Sequence, residues 1–298
     1  MRVEDFAPLP ARITFTVDVE DHVARQDGVP RYVAMTHRIL EFLGERGVQA
    51  TFFVVGDITR RTPQLIQRIA AGGHEIASHS WRHVALTQED PAVFRRAVAD
   101  DRRRLEDLAG APVLGFRAPL FSLTPASAWA IDAIADAGFG YSSSIVPART
   151  FGHHWAGAPT APFRWPNGIV ELPCPVGRVA LFTMPFLGGM YLRYLPPWRL
   201  RQASRGRAEG CLWTYCHPYD FDTEEPFRRL PGQRTATSLF LWWNRGSILH
   251  RLDLILRGRR AMTFAELRPT LGQLATYDPA AGRAVSAAAT GAIAGPPA

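Results

Sequence analysis

The sequence contains no lysine, so all 34 of its basic residues are arginines. Without a lysine side chain the protein has no lysine nucleophile and no lysine to form a Schiff base. It also lacks the lysine that a phosphate-binding P-loop requires. This absence excludes three catalytic strategies before any motif is considered.

Cysteines and long apolar runs are also scarce. The three cysteines, Cys174, Cys211 and Cys216, form no Cys-x-x-Cys spacing and no even disulfide framework. We therefore expect buried, reduced thiols. No run reaches about 18 apolar residues, so the sequence predicts no transmembrane helix. Residues 1–6 contain early acids and no apolar core of a secretory signal, from which we expect a cytoplasmic protein.

Composition indicates a globular protein with a basic surface. Hydrophobic residues make up 47% of 298 positions, enough for one large α/β barrel or two ordinary domains. The formal net charge of +7 favours anionic partners such as lipid headgroups, phosphorylated glycolipids or nucleic acid. The sequence has no module that interleaves aromatic and basic residues for base recognition, so we expect no nucleic-acid partner.

Strand-like and helix-like segments alternate in the first half of the chain. Strands are predicted at residues 12–17, 50–55, 74–78, 112–116 and 139–142, and helices at residues 32–47, 63–71, 91–108 and 124–137. Such alternation with short links is typical of right-handed βαβ units and a parallel sheet, which we expect to form one barrel-like domain. Reactive groups in such barrels lie at the carboxyl ends of strands, where Asp18, His79 and Arg117 fall.

The pattern changes after about residue 150. We interpret His153 and His154 as part of a loop rather than as ligands, and residues 180–200 as a packed apolar loop. Short strands are predicted at 168–173 and 211–216, the second ending at His217. Residues 238–257 predict a basic amphipathic helix, or two, and we favour packing on the barrel over a membrane interface. The tail beyond Tyr277 has almost no apolar bulk and is expected to be disordered.

Residues 79–83 (His-Ser-Trp-Arg-His) contain two histidines four positions apart. In a helix, side chains four positions apart share a face, so His79 and His83 would form a pair of metal ligands awaiting a third. Nine histidines in 298 residues also produce such spacings by chance. The pair therefore needs support from elsewhere in the chain.

The other groups that a hydrolytic metal site needs are present elsewhere in the chain. Two histidines and a carboxylate bind a divalent cation while leaving a position open for water, as in zinc hydrolases. A cation in such a site lowers the pKa of water and polarises a carbonyl, but a separate base and a separate acid must handle the protons. The strand ends offer Asp18 beside a second acid, Arg117 to fix a carboxylate, and His217.

Five motifs resemble those of the polysaccharide deacetylase family (NodB-homology, carbohydrate esterase family four). Residues 16–21 (Thr-Val-Asp-Val-Glu-Asp), 79–83 and 117–121 (Arg-Ala-Pro-Leu-Phe) resemble its first three motifs, in the same order. Residues 171–173 (Glu-Leu-Pro) and 216–218 (Cys-His-Pro) resemble the later ones. The first motif resembles most the subgroup found with exopolysaccharide synthesis genes and, more distantly, peptidoglycan deacetylases.

The resemblance implies an α/β fold, an irregular (β/α)7-type barrel with a C-terminal helical extension. We expect one domain over residues 1–277, closed by helices from about residue 238, with a disordered tail at 278–298. It also implies metal-dependent hydrolysis of the N-acetyl group of an amino sugar, releasing acetate. The implied cofactor is a divalent metal, with zinc as first choice before cobalt or nickel. The implied partner is a carbohydrate, in a glycan or carried by a lipid or a nucleotide. Peripheral contact with a membrane is left open.

Matched to the family motifs, Asp18 corresponds to the catalytic base and His79 and His83 to metal ligands. Arg117 corresponds to the residue that holds the base and His217 to the general acid. The backbone N–H of Leu120 corresponds to the oxyanion donor.

Two features depart from the family pattern. Val19 replaces the second of two adjacent aspartates, so the acidic ligand is Glu20 or Asp21; alternation along a strand places Asp18 and Glu20 on one side, which favours Glu20. The fourth motif, which orients the general acid, is not recognisable. Asp220, Asp222 and Glu171 are the candidates for that role.

Two other functions remain open at this point. One is an allantoinase-like or other small-molecule amide hydrolase of the same fold, which a substrate panel would distinguish. The other is a non-catalytic glycan-binding homologue, against which the complete set of acid, base and ligands argues. The sequence does not define the oligomeric state.

Overall fold

Thirteen strands and ten α-helices are defined in the computed structural model, which describes residues 10–22, 30–149, 152–179, 182–205, 208–229 and 234–285. The strands are β1 (Pro10–Val19), β2 (Ala50–Val54), β3 (Glu75–Ser78), β4 (Gly115–Phe116), β5 (Tyr141–Ser142), β6 (Phe163–Arg164), β7 (Val170–Glu171), β8 (Val176–Val179), β9 (Phe182–Pro185), β10 (Ala208–Trp213), β11 (Arg260–Ala261), β12 (Thr276–Asp278) and β13 (Arg283–Val285). The helices are α1 (Arg31–Gly44), α2 (Ile58–Arg61), α3 (Pro63–Ala71), α4 (Pro91–Ala109), α5 (Ala130–Asp136), α6 (Gly189–Leu192), α7 (Pro197–Arg205), α8 (Thr235–Trp242), α9 (Ile248–Leu256) and α10 (Phe264–Leu267).

Seven strands form a continuous parallel sheet in the order β10, β1, β2, β3, β4, β5, β7. Beyond β7 the sheet continues through β6, β12 and β13. Outside this order, the short strand β11 pairs in parallel with β1. A separate hairpin joins β8 to β9. The predicted α/β fold with an irregular (β/α)7-type barrel is confirmed.

Burial explains the central position of β1 and β2. All five residues of β2 are buried, as expected of a parallel strand covered on both faces. In β1, Phe15 and Val17 have no exposed surface, and the alternating polar residues Thr16 and Asp18 are buried too, at 0% and 2% exposure. The face of β1 opposite its apolar side chains therefore holds polar groups away from water.

The longest helix is delimited by local sequence signals. The side chain of Asp90 accepts hydrogen bonds from the backbone N–H groups of Ala92 and Val93, and Pro91 occupies the first turn. Gly110 ends α4 in the left-handed region, at φ 64°. The predicted helix over 91–108 is confirmed.

The predicted helix over 124–137 is interrupted. Thr124 and Ser127 form a capping box that closes a 3₁₀ turn, and the Ser127 hydroxyl also donates to the carbonyl of Ser122. These side-chain bonds compete with a continuous helix, so α5 begins only at Ala130.

The C-terminal region differs from the expectation of a disordered tail beginning at 278. β12 and β13 form an antiparallel pair with Thr276 opposite Val285. Tyr277, 3% exposed, packs against the rings of Trp155, Phe163 and Trp165, which anchors the hairpin. That prediction is wrong through residue 285, and residues 286–298 lie outside the described residues.

The predicted helical segment at 238–257 consists of two helices, α8 and α9, joined by a 3₁₀ turn. Ile248, Leu252 and Ile255 of α9 are buried in the main core. Within the described ranges, no helix is both long and apolar enough to cross a bilayer. Cys174 and Cys216 are buried free thiols, as predicted, whereas the side chain of Cys211 lies outside the described residues.

Candidate metal centre

The carboxyl end of β1 delivers two acids to one place. Asp18 and Glu20 are two positions apart and are 2% and 6% exposed. The backbone N–H of Asp18 donates to the carbonyl of Cys216 at 2.8 Å, which ties β1 to the segment that follows β10. Both carboxylates therefore lie on the polar side of the strand, facing the chain around residue 217.

The two histidines of residues 79–83 are brought together by a loop and not by a helix. Ser80 has φ 65°, a left-handed conformation that no helix contains. The carbonyls of Ser80 and Trp81 accept hydrogen bonds from the backbone N–H groups of Gly56 and Asp57, at 2.9 and 3.0 Å. The helical premise for the pair is wrong, although the rings do approach to 5.3 Å between centroids.

Gly56 is required for this arrangement. A Cβ atom at position 56 would lie 2.1 Å from Oδ1 of Asp101 and 2.6 Å from the ring of Trp81. Asp101 in turn accepts a hydrogen bond from the Ser78 hydroxyl, which itself accepts the backbone N–H of Ser80. The loop that carries the histidines therefore rests on a tightly packed polar support.

Glu20, His79 and His83 form a group able to hold a cation. One ligand atom from each lies within 4.8 Å of the other two, and no other such group occurs among the residues described. Nδ1 of His79 lies 2.9 Å from the carbonyl oxygen of Arg117. A proton on that nitrogen leaves the lone pair of Nε2 available as a metal ligand.

Electrostatics suits these three side chains to a cation. Burial lowers the pKa of His79 to about 4, which keeps its imidazole neutral. Although burial opposes it, the nearby imidazoles of His83 and His217 lower the pKa of Glu20 to about 2. Oε2 of Glu20 contacts Nε2 of His83, yet the contact lacks hydrogen-bond alignment, so that buried oxygen has no hydrogen-bond partner among the described residues.

Asp21 faces elsewhere. Its Oδ2 accepts a hydrogen bond from Nη1 of Arg61 at 2.7 Å, on the partly exposed side of the strand end. Of the two acids that the sequence left in competition, Glu20 lies with the histidines. His154 bonds the carbonyl of Gly152, and neither it nor His153 joins the group.

Arg117 is held on all sides. It is fully buried, and its Nη1 donates to Oδ1 of Asp18 at 2.6 Å and to Oγ1 of Thr16 at 2.8 Å. Nε and Nη2 donate to the carbonyl and hydroxyl oxygens of Ser143 at 3.2 and 3.1 Å, and the guanidinium lies 4.0 Å from the ring centroid of Phe53. These contacts fix the orientation of the Asp18 carboxylate.

His217 faces both acids of β1. Its Nε2 lies 3.9 Å from Oδ2 of Asp18 and 3.9 Å from Oε1 of Glu20. Its ring stacks on Tyr219 with centroids 4.6 Å apart and planes 9° from parallel. Burial opposes the charged form, but the hydrogen bond to Asp220 and the surrounding carboxylates raise the pKa of His217 to about 9.

Asp220 is the carboxylate that orients His217. Its Oδ2 accepts a hydrogen bond from Nδ1 of His217 at 3.1 Å and from the backbone N–H of His217 at 2.9 Å. Nη2 of Arg193 lies 3.2 Å from the other oxygen, an ion pair without hydrogen-bond alignment. Asp220 is fully buried, and these partners hold its pKa below the usual range despite burial.

The other two candidates for that role have different partners. Asp222 forms a bidentate pair with Arg31, both distances being 2.6 Å. Glu171 accepts hydrogen bonds from the backbone N–H groups of Ser144 and Ile145 and from the indole N–H of Trp165.

Leu120 has a backbone conformation typical of a functional loop. It has φ 58° and ψ 21°, the next residue, Phe121, has φ 49°, and the Leu120 side chain is 58% exposed. A non-glycine residue in this region carries a steric cost. The 3₁₀ turn Pro119–Phe121 follows directly on Arg117 and Ala118, so the turn is anchored to the buried arginine.

Sequence reasoning missed Arg193 and Asp101. Arg193 is a single fully buried charge in an apolar segment, and the isolated arginine in residues 180–198 was the available signal. Asp101 lies in a charged helix, where its sequence context gives no indication that it is buried.

Two family models match the chain in succession. One described as polysaccharide deacetylase matches residues 13–141, and one described as a domain of unknown function (DUF3473) matches residues 143–271. Strands from both stretches lie in the same sheet. A single domain over residues 1–277 stays a prediction.

Named relatives share part of the chain. The chitooligosaccharide deacetylase of Rhizobium leguminosarum bv. phaseoli is 35% identical over 99 residues, which is 29% of this chain and 43% of the relative. The peptidoglycan-N-acetylglucosamine deacetylase of Bacillus cereus is 33% identical over 75 residues, 25% of this chain and 27% of the relative. The chain therefore spans less than half the length of these relatives.

A solved structure covers nearly the whole chain. A chain assigned to the polysaccharide deacetylases from Mycobacterium smegmatis has a TM-score of 0.57 at 21% identity, covering 91% of this chain and 93% of that chain. That likeness supports the fold. The family model and the curated relatives identify residues 13–141 as a match to the polysaccharide deacetylase domain.

Proposed function

We propose that this protein is a metal-dependent deacetylase that hydrolyses the N-acetyl group of an amino sugar and releases acetate. The observation that carries the proposal is the position of His217, whose Nε2 lies 3.9 Å from both Asp18 and Glu20. The imidazole of His217, the carboxylate of Asp18 and the cation-binding group that contains Glu20 therefore lie next to one another. That combination is what hydrolysis of an amide requires.

Glu20, His79 and His83 would hold the cation, and their chemistry fits one. The set contains a neutral imidazole with a free Nε2, a second imidazole, and a buried carboxylate oxygen without a hydrogen-bond partner. Nitrogen and oxygen donors in this ratio suit zinc in an open catalytic site, and cobalt or nickel would fit the same donors. Bound there, the cation supplies Lewis acidity that makes water nucleophilic near neutral pH and polarises the acetyl carbonyl.

The residues of the chain then handle the protons. Asp18, oriented by Arg117, accepts a proton from the attacking water as its oxygen bonds to the acetyl carbon. His217, oriented by Asp220, donates a proton to the amine nitrogen as the carbon–nitrogen bond breaks. The backbone N–H of Leu120 would stabilise the negative oxygen of the tetrahedral intermediate. The products are acetate and a free amino sugar.

The relatives support the proposed substrate class. They are named for chitooligosaccharides and for N-acetylglucosamine in peptidoglycan. We extend this to an N-acetylated amino sugar in a glycan, or in a lipid-linked or nucleotide-linked saccharide. The first motif supports a place in the subgroup that resembles exopolysaccharide-locus deacetylases.

The test is release of acetate from N-acetylglucosamine oligomers and from peptidoglycan fragments by the zinc-loaded protein, before and after chelation. We expect turnover that chelation abolishes and zinc restores. Asp18→Asn should keep stoichiometric metal and lose at least about a hundredfold in turnover. A panel that includes allantoin separates ureide products from acetate.

Two outcomes would contradict the proposal. Ureide products without acetate would indicate an amide hydrolase acting on small metabolites. Metal-loaded protein that binds the oligomers and releases nothing would indicate a glycan-binding homologue.

A further inference from the structure

Helix α8 buries a polar residue and exposes two apolar ones, Leu239 and Phe240, while Leu241 and Trp242 are half-buried. In the sequence Thr-Ala-Thr-Ser-Leu-Phe-Leu-Trp, the buried residue is Ser238. Leu239 and Phe240 are 41% and 40% exposed, and Trp243, directly after the helix, is 62% exposed. A helix on a water-exposed surface has the opposite arrangement, with apolar side chains toward the core.

The exposed side chains form one surface, which we call the aromatic patch: Tyr194, Leu239, Phe240 and Trp243. The rings of Tyr194 and Phe240 stack with centroids 4.2 Å apart and planes 9° from parallel. The hydroxyl of Tyr194 donates to the backbone carbonyl of Phe240 at 2.6 Å. Leu239 and Trp243 are four positions apart, so they share the face of the helix next to that of Phe240.

The patch is held in its exposed position by buried contacts. Nη2 and Nη1 of Arg193 donate to the carbonyls of Leu241 and Trp243 at 2.9 and 3.1 Å. Asn244 donates to the carbonyl of Arg193 at 2.7 Å. The end of α8 is therefore fastened to the protein interior through its backbone, and its apolar side chains face outward as a defined surface.

The chain on either side of the patch is rich in arginine. Residues 172–208 contain six arginines and no acid, and residues 226–252, between Glu225 and Asp253, contain five arginines and no acid. Arg193 and Arg245 are buried and pair with acids, so they add no charge to the surface. Arg228, Arg229 and Arg234, just before α8, have exposed side chains. Apolar and aromatic side chains surrounded by arginine are suited to the boundary between acyl chains and anionic headgroups.

We propose that the aromatic patch and its flanking arginines bind the surface of an anionic lipid bilayer. With eight residues, α8 is far too short to span it, so the protein would lie on the membrane. A second copy of this chain fits the patch less well, because a symmetric contact would bring the arginines of both copies together. This inference rests on the surface alone and does not depend on the proposed activity.

Cosedimentation with vesicles tests the proposal. The vesicles contain phosphatidylcholine alone or phosphatidylcholine with about one third phosphatidylglycerol, at low and high salt. We expect the protein to bind anionic vesicles, and this binding to weaken at high salt. Binding to neutral vesicles should be weaker by at least about tenfold. Leu239→Ser combined with Trp243→Ser should weaken anionic binding by about tenfold or more, because two apolar side chains no longer enter the interface.

A matched control uses an exposed apolar residue outside the patch. Val93 on α4 is 40% exposed, and Val93→Ser should bind vesicles like the unmodified protein. An unchanged circular dichroism spectrum establishes that the double variant folds. Equal partitioning of the double variant and the unmodified protein, or no binding to anionic vesicles, would overturn the proposal. So would a dimer in solution that the double variant converts to a monomer without any vesicle binding.

Discussion

Asp220 accepts two hydrogen bonds from His217 on a single oxygen, one from the imidazole and one from the backbone three residues earlier. The same carboxylate that closes the turn after β10 therefore also sets the orientation of the ring. Nδ1 is engaged by Asp220, so Nε2 is the nitrogen that faces Asp18 and Glu20. The turn after β10 therefore orients His217, a role for which the sequence shows no separate motif.

Asp220→Asn should lower kcat for deacetylation by about 10- to 100-fold and leave metal content unchanged, because the ring of His217 loses its charged partner. Asp222→Asn is the matched control in the same loop, since Asp222 pairs with Arg31 and does not contact His217. Its kcat should remain within about threefold. Steady-state acetate release measures both, and equal losses would contradict the positioning role of Asp220.

Glu20→Gln should weaken zinc binding by about 10- to 100-fold, because the buried carboxylate beside the two histidines loses its charge. Asp21→Asn should leave zinc affinity within about twofold, since Asp21 pairs with Arg61 on the outer side of the strand end. Titration with a zinc chelator of known affinity measures both. The reverse ranking would assign the acidic ligand to Asp21.

The fold and the location of the site were accessible from sequence because strand burial leaves a clear pattern. A strand such as β2, buried on both faces, has to be apolar throughout, and the links between elements are short. Alternation along β1 also favoured Glu20 over Asp21, and Glu20 is the acid that lies beside the histidines. These predictions depend on neighbours in the chain.

The remaining features depend on distant residues, which spacing does not reveal. The spacing of the histidine pair predicts a helix, yet Ser80 takes a left-handed conformation, and the loop accepts hydrogen bonds from the distant residues Gly56 and Asp57. Arg193 lies 27 positions before Asp220 in the sequence, and only the fold places them 3.2 Å apart. The prediction of disorder from residue 278 is wrong through residue 285 because Tyr277 packs against aromatic side chains more than a hundred positions earlier in the sequence.

Leu120→Gly should be more stable than Leu120→Ala by about 1 kcal/mol, because glycine adopts a φ of 58° without the steric cost of a Cβ atom. At Val93 on helix α4 the order should reverse, with alanine more stable than glycine by about 1 kcal/mol. Urea unfolding measures both pairs. Both Leu120 variants should also keep kcat within about threefold, because the proposed contribution is that of the backbone N–H. A loss of a hundredfold in Leu120→Ala would assign that contribution to the side chain.

Asp101→Asn should change how the free energy of unfolding depends on pH. Asp101 is fully buried, its Oδ2 accepts the Ser78 hydroxyl at 2.6 Å, and its Oδ1 has no hydrogen-bond partner among the described residues. Burial raises its pKa from 3.8 to about 7. Between pH 4 and 7 the unfolded chain releases this proton while the folded protein retains it, so stability decreases as pH rises and levels off above about 7.

The asparagine variant lacks this titration. Its stability relative to the unmodified protein should therefore increase between pH 5 and pH 8, by about 2–3 kcal/mol. The exposed neighbour Asp100 provides the control, since Asp100→Asn is the same substitution outside the core and should change stability by less than about 0.5 kcal/mol at either pH. Urea unfolding at both pH values measures the difference. A gain for Asp101→Asn that is equal at pH 5 and pH 8 would mean that Asp101 is not protonated in the folded protein, and that the support beneath the histidine loop contains a buried charge.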